Sequence, residues 1–190
     1  MTLPLSTAAT ARSTPADATE PWTAPAGLLC LRPVRPEDKA AMATFLADLS
    51  PRSRQRRFLA AKHRFTEREL RGLTVVDQDR HVAWVAVDLA DGGERIVAEA
   101  RFVRLAGRPG SAEVGVAVAD SLQGRGLGRM LMATLAREAR RGGVTELHGY
   151  VDSGNRPMLR RLEELGARMA VDHPGVMRAR VPLGGSPCSV

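Results

Sequence analysis

Apolar residues along this 190-residue chain change period in a definite order. Leu28 to Arg32 reads as a first strand. Ala41, Met42, Phe45, Leu46 and Leu49 then recur on one helical face behind Pro36-Glu37-Asp38, a proline and two acids placed where a helix N-terminus favours them. Ser50 to Phe58 has no apolar stripe and carries Arg52, Arg54, Arg56 and Arg57, whereas Thr66 and Glu69 have capping-box spacing and predict a short helix through Leu73. His81 to Asp88 and Ile96 to Leu105 are apolar strands joined by Asp91-Gly92-Gly93, a hairpin signal. A third strand spans Ala112 to Ala119, with Val114, Val116 and Val118 on one face and Glu113, Gly115 and Ala117 on the other. That second face, small side chains beside one acid, leaves room for a ligand.

The helix predicted over Leu127 to Arg141 sets Leu127, Met130, Leu131, Thr134 and Leu135 at core-facing intervals, and Gly142-Gly143 ends it. Leu147 to Val151 is a further strand. Asn155 to Leu165 is a further helix, with Met158, Leu159, Leu162 and Leu165 facing inward and Gly166 as its cap. Ala167 to Val181 fits one or two strands broken at His173-Pro174-Gly175. Residues 1–26, rich in Ala, Thr and Pro without an apolar period, read as a disordered leader, residues 27–183 as one domain, and residues 184–190 as a flexible tail. This order of strands and helices is mixed α/β (α+β), with no internal repeat.

Charge and cysteine usage narrow the possibilities. Twenty-eight basic residues against 21 acidic ones give a net charge of +7, almost all of it arginine, which suits a polyanionic ligand. Aromatic residues make up only 4%, too few for a base-stacking surface, so nucleic acid is not an expected partner. No run of about 18 apolar residues and no signal-peptide pattern occurs, so a cytoplasmic protein without a membrane span is expected. Cys30 and Cys188 lie in unrelated contexts and read as reduced thiols, and no Cys/His spacing suggests a metal.

The candidate chemistry sits in Val114 to Arg129, VGVAVADSLQGRGLGR, which runs from a strand through a glycine turn into a helix. Such a geometry gathers unpaired backbone N–H groups at the positive end of a helix dipole, where a pyrophosphate binds. Gly124, Gly126 and Gly128 carry no Cβ to hold phosphate oxygens away, and Arg125 and Arg129 add mobile charge. The spacing is neither G-x-G-x-x-G nor a P-loop, which excludes both nucleotide signatures. Gln123 to Gly128 instead satisfies Q/R-x-x-G-x-G/A after a valine-rich strand, and in this it resembles the acetyl-CoA signature of the GNAT superfamily of N-acetyltransferases. The segments Leu49 to Arg54, Arg57-Phe58, Ala112-Glu113-Val114 and Asn155 to Arg160 look like those of bacterial Pat-type protein lysine acetyltransferases.

The resemblance covers roughly Leu28 to Val181. It implies a GNAT fold with a mixed, mostly antiparallel sheet, flanking helices, and splayed strands that hold acetyl-CoA. By that resemblance the backbone of Val116, Ala117 and Val118 pairs with the pantetheine arm, while Gln123, Gly124, Arg125, Gly126, Leu127, Gly128 and Arg129 form the diphosphate cradle. Asn155 contacts the cofactor or caps its helix. Glu113 matches the glutamate that acts as base, with Glu99 as the competing acid, while Asp120 suits a turn. Val116 or Ala117 is expected to donate to the thioester oxygen as charge builds there. The tyrosine that many relatives carry as general acid corresponds to Leu162, and the only tyrosine, Tyr150, lies on the preceding strand. His148 could approach the cleft but suits a core or surface imidazole better. The implied activity is acetyl transfer to a primary amine of a protein lysine, with a small-molecule amine or a non-catalytic acyl-CoA sensor as the alternatives. A homodimer stays open.

Overall fold

A computed structural model describes residues 20–24, 27–90 and 93–184. Its strands are β1 (Glu20–Ala24), β2 (Gly27–Pro33), β3 (His81–Asp88), β4 (Arg95–Arg104), β5 (Ser111–Val118), β6 (Glu146–Asp152), β7 (Arg168–His173) and β8 (Val176–Pro182). They form one sheet in the order β1-β2-β3-β4-β5-β6-β8-β7. Every pairing is antiparallel except β5 with β6. A parallel pair needs a long crossover, and the helix α4 (Leu127–Arg141) supplies it.

Both faces of the sheet are covered. Even-numbered β5 residues share a face with Trp84, Ala98, Ala100 and Phe102, and α4 packs on that side through Leu127, Leu131, Leu135 and Ala139. The i, i+4 spacing of those four explains why the helix buries this stripe. On the opposite face α1 (Lys39–Asp48) buries Met42, Phe45 and Leu46 against Ala83, Val85, Val87 and Ala117. Pro36–Asp38 forms a short 3₁₀ turn before α1. Two more helices, α2 (Pro51–Phe58) and α3 (Glu67–Thr74), complete this side, and α3 starts at the Thr66/Glu69 capping box.

The structure adds to the sequence reading in three places. Within the stretch expected as a leader, residues 1–26, Glu20–Ala24 pairs along the edge of β2; backbone pairing at an edge requires no apolar period. Residues 1–19 and 185–190, most of the expected leader and tail, lie outside the described residues, as do Cys188 and the Asp91-Gly92 of the predicted hairpin. The unassigned basic stretch is the helix α2. Finally, the helix α5 (Arg156–Glu164) buries no residue fully: Met158, Leu159 and Leu162 are half-buried, and Leu165 just beyond it is 55% exposed.

Candidate functional site

The parallel pair β5–β6 runs for three residues only, Ser111 to Glu113 against Glu146 to His148. Beyond Glu113 the two strands part, and Val114 to Val118 keeps only β4 as a neighbour. Ala119 donates to the Val97 carbonyl at 2.8 Å and Leu105 donates to that of Ser111 at 2.9 Å, which fixes the alternation. Odd residues of β5 turn their backbone groups toward β4, and even residues turn theirs toward the open side. Val114, Val116 and Val118 therefore face the cleft, and the Val118 carbonyl already accepts from the Gln123 side chain at 3.1 Å. Ala117, expected to share this role, is committed to β4, so the free donor is Val116. The side chains of Val116 and Val118 pack on the α4 core and that of Ala117 on the α1 core, leaving only main chain for a ligand.

At the end of β5 the glycine turn opens. Gly124 (φ 75°) and Gly126 (φ 88°) adopt left-handed backbone, and Gly126 is the N-cap of α4. A Cβ at either would meet nothing within 4 Å, so glycine serves here for conformation and for an open approach. The first helical bond runs from Met130 N–H to the Gly126 carbonyl, so the N–H groups of Gly124, Arg125, Gly126, Leu127, Gly128 and Arg129 have no acceptor among the described residues. Arg125 and Arg129 are exposed. Two cradle positions also serve the packing of α4 through their other atoms. The Leu127 side chain is 1% exposed and belongs to the core, and Gly128 lies against Val118, whose side chain an added Cβ would meet at 3.5 Å, an ordinary packing distance.

The turn is braced from the opposite face of the sheet. Asp120 accepts from the Ser50 N–H (2.9 Å), the Ser50 hydroxyl (2.8 Å) and the Ser53 hydroxyl (2.7 Å), and Gln123 donates to the Ser53 hydroxyl at 3.1 Å. Partial burial opposes ionisation of Asp120, but these donors outweigh it and hold its pKa below the ordinary value. Ser50 also caps α2 by accepting from the Ser53 N–H. Sequence reasoning gave Asp120 a turn role and left Ser50 and Ser53 without one. The available signal was Ser50-Pro51, an N-cap residue before a proline at N1.

The two candidate acids differ sharply. Glu99 is 1% exposed and clamped between Arg57 Nε at 2.6 Å and Arg101 Nε at 2.8 Å. Burial disfavours its charge, yet the two guanidinium groups prevail and its pKa lies below the usual carboxylate range. A carboxylate held by two cations is a poor proton acceptor. Glu113 is exposed, makes no hydrogen bond or ion pair among the described residues, and occupies the last paired position of β5, directly at the point of parting.

Across that seam His148 is the register partner of Glu113. It is buried, and its Nε2 lies 2.8 Å from a Glu146 oxygen. Tyr150, two positions further, stands half-buried on the strand that forms the other wall of the cleft. Asn155 is the N-cap of α5, but its side chain makes no capping bond, which leaves its amide unused by the helix. Leu162 is half-buried on α5. Among the described residues no group of His, Cys, Asp and Glu has the geometry to hold a metal ion, and no helix is long and apolar enough to cross a membrane.

Comparison with known proteins yields a consistent picture. The family described as the acetyltransferase (GNAT) domain matches residues 29–168. The chain is 34% identical over 153 residues to the acetyltransferase Pat of Mycolicibacterium smegmatis, an alignment covering 80% of this chain and 45% of that protein, so the match spans less than half of Pat. The GNAT domain of S. lividans PAT superposes with a TM-score of 0.79 at 24% identity, covering 90% of this chain and 99% of that one. The yncA protein from Salmonella typhimurium, solved with its cofactor acetyl-CoA, gives a TM-score of 0.62 at 18% identity, covering 85% of this chain and 96% of that one. At these identities the two structures share the fold.

Proposed function

The chain belongs to the GNAT acetyltransferase family, and on that premise we propose that it moves the acetyl group of acetyl-CoA to a primary amine, the lysine ε-amine of a protein, by direct attack in a ternary complex. The observation that carries this reading is the continuity of the open β5 edge with a turn of six unpaired N–H groups. A pantetheine arm needs the first and a diphosphate the second. When bound, the thioester supplies an activated acyl carbon.

Val114, Val116 and Val118 pair with the amides of the arm, and the N–H groups from Gly124 to Arg129 hold the diphosphate with Arg125 and Arg129 beside them. The Asn155 amide completes the cradle from α5. Val116 N–H supports the negative charge that develops on the thioester oxygen, in place and without solvent reorganisation. A lysine amine is neutral in only roughly one molecule in a few thousand at pH 7, so a proton acceptor is required. Glu113 takes that proton, directly or through one water. No tyrosine occupies α5, so water protonates the departing thiolate.

Similarity to Pat supports a protein lysine as the acceptor. So does the excess positive charge of the chain, which disfavours free polyamines at long range. The test is an acetylation screen by mass spectrometry, in which acetyl-CoA is offered together with a cell lysate and with a panel of small amines. Labelled lysines are the expected result. Label confined to the small amines would reassign the acceptor, and no label with acetyl-CoA still bound would leave a sensor.

A further inference from the structure

The face of β5 that carries Glu113 and Gly115 also holds a cationic cluster that acetyl transfer does not use. Arg101 is the cross-strand partner of Gly115, and Arg57 reaches from α2 to lie above the same glycine. Its Nη1 stands 2.8 Å and its Nη2 3.1 Å from the place a Cβ of residue 115 would take, so the guanidinium occupies the space that the absent side chain leaves. Phe58 supports it from behind, with its ring centroid 4.9 Å from Arg57 Cζ.

Three of the nitrogens there have no partner among the described residues. Arg57 uses Nε on Glu99 and makes no bond through Nη1 or Nη2 among the described residues, though its side chain is only 12% exposed. Arg101 uses Nε on Glu99 and Nη1 on the Leu73 carbonyl and His81, and its Nη2 is buried with no partner. Two guanidinium groups face one carboxylate, and His81 beside them is disposed to stay neutral. Glu113, the other acid on this face, is exposed, forms no ion pair, and stands two positions back toward the start of β5. A buried charged donor without an acceptor, here Arg101 Nη2, is costly, and a planar guanidinium fork such as that of Arg57 matches a carboxylate.

The diphosphate cannot be that acceptor. Gly115 precedes the turn entry at Ala119 by four residues, roughly 13 Å along a strand. Gly115 adjoins Val116, the proposed thioester position, and this further reading rests on that assignment. We propose that Arg57 and Arg101 form a carboxylate site beside the reacting centre, so that, in addition to acetyl-CoA and a protein lysine, the enzyme takes a substrate that places a carboxylate near the thioester. The carboxylate comes from a dicarboxylic acyl group on CoA or from the acceptor amine.

Calorimetry separates the two sources. Succinyl-CoA and butyryl-CoA have equal chain lengths and differ in the carboxylate. If the acyl group supplies it, the wild-type protein binds succinyl-CoA on the order of tenfold or more tighter, and Arg57→Gln brings the ratio near one. If the acceptor supplies it, protein saturated with CoA shows the same discrimination between an α-amino acid and its carboxamide. Wild-type ratios need no variant, and Arg57→Lys, which keeps the charge but loses the fork, gives an intermediate ratio should Arg57→Gln fail to fold. No discrimination in either arm, or discrimination that survives Arg57→Gln, overturns the site. Failure of acetyl-CoA itself to bind would instead remove the acetyltransferase reading, and this site with it.

Discussion

Asp120 accepts both the backbone N–H and the hydroxyl of Ser50, at 2.9 and 2.8 Å, so the basic helix α2 begins where the glycine turn begins. The brace predicts that a substitution distant from any phosphate weakens cofactor binding. Asp120→Ala should weaken acetyl-CoA binding several-fold by calorimetry and lower stability by about 1 kcal/mol in urea, a modest cost because the carboxylate is largely solvated. Unchanged affinity would show that the turn holds its shape without α2.

Replacing the proposed base tests the chemistry apart from binding. Glu113→Gln should lower turnover by on the order of a hundredfold or more while acetyl-CoA affinity changes only a few-fold. Wild-type turnover would reject the assignment. The same change at Glu99 is expected to act on folding first, since it leaves Arg57 and Arg101 without their shared counter-ion.

Stability should fall with acid in two stages. His81 is half-buried beside Arg101, and both the partial burial and that positive charge hold its pKa below the ordinary value of 6.5. An unfolded chain therefore binds a proton at this site before the folded one does, and stability declines as pH drops below about 6.5. The carboxylates of Asp38, Asp120 and Glu99 have depressed folded pKa values, and Glu69 lies at about 2. Their contribution is full above the unfolded values and is lost as pH falls through the folded ones. Urea denaturation from pH 7.5 to 3 should show both stages, and His81→Gln should remove the upper one.

Gly124 and Gly126 are fixed by conformation, at φ of 75° and 88°. Gly126→Ala should cost about 1 kcal/mol or more in stability, because an L side chain strains left-handed backbone. Gly126→Asp should in addition abolish acetyl-CoA binding, through bulk and charge at the diphosphate. Normal binding by Gly126→Asp in calorimetry would displace the cradle.

Leu131 sits fully buried under the sheet on α4. Leu131→Ala should destabilise by about 2–5 kcal/mol in urea denaturation, through lost burial and the cavity left behind.

Most of the framework is legible in residue spacing. The stripe of α4 and the strand at Ser111–Val118 follow from period 3.6 and period 2, and the break at His173-Pro174-Gly175 separates β7 from β8. Spacing fails where contacts other than apolar burial decide. The helix α2 has arginines where an apolar stripe would be, and it is held by a serine cap, Asp120 and the buried Glu99. Residues of α5 have the right period for burial, yet none of them is fully buried. Val116 and Ala117 are equivalent in sequence, and only the β4 register separates the free donor from the committed one. The choice between Glu113 and Glu99 likewise needed the two arginines, one of them 42 positions away in the chain.

A crystal structure of the protein with acetyl-CoA tests the central claim most directly. The diphosphate is expected within hydrogen-bond distance of the N–H groups between Gly124 and Arg129, with the arm lying along Val114 to Val118. Phosphorus atoms found anywhere else on the molecule would contradict it.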